Sequence, residues 1–188
     1  MRILGIETSC DETSAAVIAA KLGDKKVKLL SNIVASSLNL HSKTGGIIPE
    51  IAAREQVKYI IPVIDKILRS TPGVDARNPK DSIDAIAVTV GPGLIGSLLV
   101  GVETAKTLSY VWQKPIISVN HLVGHIYANW VNDFKLHPTP YTLHPSIEFP
   151  ALALIVSGGH TDLVLLKNHQ KLKLLGGTRD DAAGEAFE

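Results

Sequence analysis

The chain opens with a strand-like run, Arg2-Ile3-Leu4-Gly5-Ile6-Glu7, and after the polar stretch Thr8-Ser9-Cys10-Asp11-Glu12-Thr13 continues in small and apolar residues from Ser14 to Ala20. The pattern predicts strand, turn, strand. Val27 to Ser36 supplies a third strand after the turn-like Gly23-Asp24-Lys25-Lys26, and a loop through Gly45-Gly46 leads to Pro49. Proline suits the first turn of a helix, which is expected to run to about Ser70. Its apolar face is read as Ile51, Ala52, Val57, Ile60, Ile61, Ile64 and Leu68, with Pro62 inside at a position that can kink it.

Ile83 to Val90 is a continuous apolar run of the buried, parallel-sheet kind. Gly91-Pro92-Gly93 turns it into a helix from about Leu94 to Trp112, whose Leu98, Leu99, Val102, Ala105, Leu108 and Tyr110 are read as core, with a subunit contact as a further role. Pro115 to Val119 is the next buried strand, and Asn120 is a natural N-cap for a helix from His121 to about Val131. The order β-β-β-α-β-α-β-α is an α/β layer architecture occupying residues 1–133.

Residues 134–150 hold four prolines and read as a linker or surface excursion. The pattern then restarts: Ala151 to Val156, a Ser157-Gly158-Gly159-His160 turn, Thr161 to Lys167, and Lys171 to Leu175 as strands. Asp180 or Asp181 is expected to cap a helix containing Ala182, Ala183, Ala186 and Phe187. Residues 151–188 thus repeat the β-β-β-α opening of the first domain in pattern, with weak residue similarity. A sheet stopped at this stage keeps a face and an edge uncovered, so a fragment, or a chain completed by a partner, is the expectation.

Composition narrows the function classes. Hydrophobic residues at 45% and charged residues at 20% describe a folded globular chain. Lys plus Arg (19) nearly balances Asp plus Glu (18), so any RNA contact must come from a local patch or a partner. The single cysteine, Cys10, cannot form an internal disulfide, no apolar run approaches the roughly 20 residues of a membrane span, and the N-terminus lacks a signal-peptide layout. A cytoplasmic protein with no membrane partner is expected.

Three stretches carry candidate chemistry. His121 and His125 stand at i and i+4, a spacing that lets two imidazoles meet one metal ion just after a buried strand. From spacing alone, a surface or core histidine pair stays open. Zinc peptidases also use this spacing, but with a glutamate after the first histidine as general base. Leu122 holds that place here. The Thr8 to Thr13 turn offers Asp11 and Glu12 between hydroxyl groups, a layout able to hold phosphate oxygens on backbone N–H groups or to be a solvated hairpin loop. In Ser157-Gly158-Gly159-His160-Thr161, paired glycines admit a ligand close to the backbone, or make an ordinary hairpin. Gly91 to Ser97 lacks the Gly-Lys-Ser/Thr ending of a P-loop, and tight helix-on-sheet packing is its expected role.

Together and in order, Gly5 to Thr13, Gly45 to Glu50, Gly91 to Leu94, His121 to His125, Ser157 to Thr161 and Asp180 to Phe187 resemble the universal tRNA threonylcarbamoyladenosine transferase family, formerly classed as O-sialoglycoprotein endopeptidases. The resemblance implies an actin-like ATPase (acetate and sugar kinase/Hsp70/actin) fold, with the first domain complete and the second truncated. It implies transfer of threonylcarbamoyl from threonylcarbamoyl-AMP to N6 of adenosine 37 in tRNAs reading ANN codons, the t6A modification. It makes His121 and His125 ligands of one iron or zinc ion. Ile155, Val156, Ser157, Gly158, Gly159, His160 and Glu188 become adenylate-binding residues, with ATP or ADP as further candidate ligands, and Asp11 and Glu12 become catalytic candidates. Implied partners are tRNA, a paralogous actin-like subunit, an accessory ATPase and a second copy of the chain. Three departures stand out: family members are considerably longer and carry a third, aspartate ligand beyond this chain; Glu188 stands where an aspartate is usual; and Gln56 stands where histidine is common. The isolated chain is therefore expected to be inactive. A non-catalytic module that pairs with an actin-like partner is the alternative, with a metallopeptidase behind it.

Overall fold

The computed structural model describes residues 1–21, 23–24, 27–37, 47–132, 147–157, 159, 161–179 and 182–184. The chain divides into two compact units, Met1–Gly124 with Val131–Asp133, and His125–Trp130 with Phe134–Glu188.

The first unit is built on a six-stranded mixed sheet in the spatial order Ile116–Asn120, Ala85–Gly91, Arg2–Glu7, Glu12–Ala19, Val27–Ser36, Val131–Asn132. Strands β1 (Arg2–Glu7), β2 (Glu12–Ala19) and β3 (Val27–Ser36) form an antiparallel meander. On the other side, β1 pairs in parallel with β4 (Ala85–Gly91), and β4 in parallel with β5 (Ile116–Asn120). β2 starts two residues earlier than the apolar pattern indicates because Glu12 already pairs with Ser36 of β3. Two helices, α1 (Pro49–Ser70) and α2 (Ile95–Trp112), cover the sheet, with Leu4, Ile6, Val17, Ile67, Ile86 and Ala105 in the core.

The core-facing stripes differ from the sequence reading in an instructive way. In α1 the buried positions are Ala52, Gln56, Ile60, Val63, Ile64, Ile67 and Leu68, whereas Val57 and Ile61 are 62% and 63% exposed. The true stripe passes through a glutamine, which counting apolar residues cannot include. Helix α1 runs on through Pro62. In α2, Ser97, Leu98, Gly101 and Ala105 are buried and Val102 and Leu108 pack against the core, while Leu99 and Tyr110 are exposed, so the inward stripe mixes small residues with apolar ones. The helix after β5 is also shorter than expected. α3 covers His121–Tyr127, a 3-10 turn follows at Ala128–Trp130, and β6 (Val131–Asn132) pairs in parallel with β3. Pairing of Val131 with Val27 takes that backbone into the sheet.

In the second unit, β7 (Ala151–Val156), β8 (Thr161–Asn168) and β9 (Lys171–Gly177) form an antiparallel sheet. Ala151, Ala153 and Ile155 turn one way, to pack with Ile126, Val164, Leu166, Trp130 and Phe149. Leu152, Leu154 and Val156 alternate to the other face and are exposed. Of the helix expected from Asp180 or Asp181, the described residues show a turn at Ala183–Gly184, with Ala183 N–H donating to Thr161 Oγ1 at 2.7 Å. Asp180, Asp181, Ala186 and Phe187 lie outside the described residues, as do Gly45 and Gly46.

Candidate functional site

The site is best built from the end of β1. Its parallel neighbours β4 and β5 end at the same sheet edge, the carboxyl edge where ligands of α/β proteins collect. The turn that leaves β1, Thr8 to Asp11, is tied down with the start of β2 from three directions. Thr8 is fully buried, its Oγ1 donating to Ser97 O at 2.8 Å and accepting from Gly101 N–H at 3.2 Å, both in α2. Ser9 O accepts from Leu94 N–H at 2.8 Å. Gln56 Nε2 reaches from α1 to Cys10 O at 2.9 Å, Glu12 O at 3.0 Å and Thr8 O at 3.3 Å.

Two glycines make these approaches feasible. A Cβ on Gly93 would lie 2.5 Å from Ser9 O, and one on Gly101 would lie 2.4 Å from Thr8 Oγ1. The Gly91-Pro92-Gly93 stretch therefore serves as a buttress for the loop after β1. This is the tight-packing role expected of it, with that loop as the surface it packs against.

Glu7 closes the constellation. Its Oε1 accepts from Ser9 N–H at 2.6 Å and its Oε2 accepts from the Thr89 hydroxyl at the end of β4. His121 Nδ1 stands 3.1 Å from Ser9 Oγ and 3.4 Å from Glu7 Oε2. Burial raises the Glu7 pKa, but hydrogen bonds from the Ser9 hydroxyl, Thr89 and the Ser9 backbone, with the His121 charge, outweigh it and hold the carboxyl below its ordinary value. His121 is the first residue of α3, and the Asn120 side chain accepts from Val123 N–H at 3.2 Å, the capping bond expected of it.

Not all candidate residues meet here. His121 and the turn after β1 come together through Ser9. Asp11 is half-buried and Glu12 is exposed. The Asp11 backbone carbonyl accepts from Ser37 Oγ at 2.6 Å. Burial and then the neighbouring Asp11 push the Cys10 thiol pKa up. His125 follows one turn after His121 on α3 and is exposed. In the second unit Ile155 is half-buried, while Val156, Ser157 and Gly159 are exposed at the end of β7. Gly158, His160 and Glu188 lie outside the described residues. Among the described residues, no group of three or more His, Cys, Asp or Glu side chains could hold a metal ion.

Glu7 and Thr89 went unread as site residues in the sequence. The available signal for Glu7 was a charged residue ending a buried strand, immediately before a polar loop.

The model of the tRNA N6-adenosine threonylcarbamoyltransferase family matches residues 28–188. The chain belongs to this family. Relatives of that name include one from Thermomicrobium roseum, 53% identical over 192 residues covering all of this chain and 47% of the relative. Another, from Dehalococcoides mccartyi, is 50% identical over 188 residues, covering all of this chain and 51% of the relative. The chain thus spans about half the length of these members of the family. The solved structure of a Pseudomonas aeruginosa protein described as similar to peptidase YEAZ superposes with a TM-score of 0.50 at 17% identity, covering 93% of this chain and 63% of that one. The fold is the α/β, actin-like one that the motif order implied.

Proposed function

We propose that this chain forms part of a transferase that moves the threonylcarbamoyl group from threonylcarbamoyl-AMP to N6 of adenosine 37 in tRNAs reading ANN codons. The observation that carries this reading is the placement of His121, a family-motif histidine, directly on the pinned loop after β1 in a family member. Residues 1–133 would be the first actin-like domain, 134–150 a connecting segment, and 151–188 the opening of the second.

In the reaction, N6 of adenosine attacks the carbamoyl carbon, the new C–N bond forms, the C–O bond to the adenylate phosphate breaks, and AMP leaves. The N6 proton must pass to a base, for which Asp11 in the β1–β2 turn and Glu12 at the start of β2 are the candidates. Ile155, Val156, Ser157, Gly158, Gly159, His160 and Glu188 are proposed to bind the adenylate. ATP or ADP would use the same nucleotide chemistry.

His121 and His125, one turn apart on α3, would supply two of the ligands of an iron or zinc ion, and a hydroxyl and a carboxylate at His121 Nδ1 support that reading. A bound divalent metal supplies Lewis acidity toward carbamoyl or phosphate oxygens. The chain's own contribution is to hold the loop and His121 still at the sheet edge.

The working partners in this reading are tRNA, a paralogous actin-like subunit, an accessory ATPase and, as an alternative assembly, a second copy of the chain. Exposed Ile95, Tyr110 and Val111 on α2 support a protein partner. No helix among the described residues is long and apolar enough to cross a membrane. The proposed location is the cytoplasm.

The test supplies this chain with the remaining half of a family member, threonylcarbamoyl-AMP synthase, its partner subunits, ATP, threonine and bicarbonate, and analyses tRNA nucleosides by mass spectrometry. Threonylcarbamoyladenosine is the expected product, lost in His121→Ala and His125→Ala. Unmodified adenosine from the wild-type mixture sinks the reading.

A further inference from the structure

We infer that Glu7, acting with Ser9, is a positioning pair that fixes the tautomer of His121, placing the ring proton on Nδ1 and presenting Nε2 to a metal ion. The inference rests on the proposal that His121 is a metal ligand and adds what sets its orientation. A carboxylate can only accept, so a deprotonated Nδ1 would turn its lone pair toward Glu7 Oε2, 3.4 Å away. With the proton on Nδ1, the same contact becomes favourable, and Ser9 Oγ at 3.1 Å accepts as well.

Glu7 is itself immobilised, since Ser9 N–H binds Oε1 and the Thr89 hydroxyl binds Oε2. Glu7, Thr89 and His121 belong to β1, β4 and α3 at the carboxyl edge of the sheet, and Ser9 lies in the loop after β1, where its carbonyl is held by Leu94 N–H. The arrangement of carboxylate, imidazole and metal is a recurrent way of orienting a ligand and raising its basicity.

Two readouts test this on the 188-residue chain. Long-range proton–nitrogen NMR of the labelled imidazoles, with His121 assigned by a His121→Gln variant, should show the Nδ1–H form in wild type. Glu7→Gln, and independently Ser9→Ala, should shift it toward Nε2–H. Zinc affinity by competition with a chromogenic chelator should fall about 10- to 100-fold in Glu7→Gln, and stay level in the remote Asp65→Asn. Circular dichroism checks that each variant is folded, and Ser9→Ala, which removes only a hydroxyl, carries the test if Glu7→Gln is not. An Nε2–H tautomer in wild type, or variants with wild-type tautomer and zinc affinity, overturns the inference. Absence of zinc binding by wild type overturns the metal reading instead, while the tautomer readout still decides the role of Glu7.

Discussion

Replacing Gln56 with leucine removes the donors that hold the backbone carbonyls of the loop after β1. One amide nitrogen carries two hydrogens, so the contacts at 2.9 Å to Cys10 O and 3.0 Å to Glu12 O are the well-made bonds, and Thr8 O at 3.3 Å takes a share. Three carbonyls around one end of the side chain also settle which end is nitrogen. Losing two such partners costs about 2–4 kcal/mol, less about 1 kcal/mol regained by removing the buried, unpartnered Oε1, for a net loss of about 1–3 kcal/mol. At about 2–4 °C per kcal/mol for a chain of this size, the melting temperature should drop by about 2–12 °C. The ranking is more discriminating than the size. Gln56→Glu, which points oxygen at three carbonyls, should be worse than Gln56→Leu, and Gln56→His, which keeps one N–H donor, should be milder. Thermal unfolding by circular dichroism gives the ranking, and hydrogen exchange should accelerate at Ser9 through Glu12. If leucine proves the mildest of the three, Gln56 is merely filling space and the pinned-loop argument is wrong.

Gly93→Ala should destabilise by about 1–3 kcal/mol or more, because the added methyl meets the Ser9 carbonyl at 2.5 Å and backbone cannot swing aside; chemical denaturation measures it. Thr8→Val should cost about 1–3 kcal/mol, since the Ser97 carbonyl and the Gly101 N–H both lose their buried partner, read from the same urea curves. Cys10 alkylation by iodoacetamide should show a pH–rate midpoint above that of a free thiol, and Asp11→Asn should lower it by removing the charge and hydrogen bond that help keep the thiol protonated. An unchanged midpoint in that variant would show that burial alone raises the pKa.

Much of the architecture was legible because hydrophobic period and turn chemistry are local. The strand from Val27 to Ser36, the helix from Pro49 to Ser70 and the strand from Ala151 to Val156 stand where the pattern put them. Asn120 caps its helix because, at the first step out of an extended strand into a helix, a short amide reaches the free N–H three residues on. The errors share a cause. Val57, Ile61, Leu99 and Tyr110 were assigned inward by apolarity, yet which side of a helix meets the sheet depends on its rotation. In α1 that rotation buries Gln56, and in α2 it buries Ser97 and Gly101, because polar and small residues are what the loop after β1 requires.

The same division holds for the site. Residue identity and order alone marked His121, His125 and the Thr8–Thr13 turn, and placed the chain beside its family. Only the tertiary structure could join Glu7 to Thr89, which is 82 residues away, and to His121, which is 114 away. That meeting exists because β1, β4 and β5 align in parallel and end at one edge, a consequence of strand pairing that no local pattern encodes. Sequence named the groups able to do chemistry, and sheet topology decided which of them could touch.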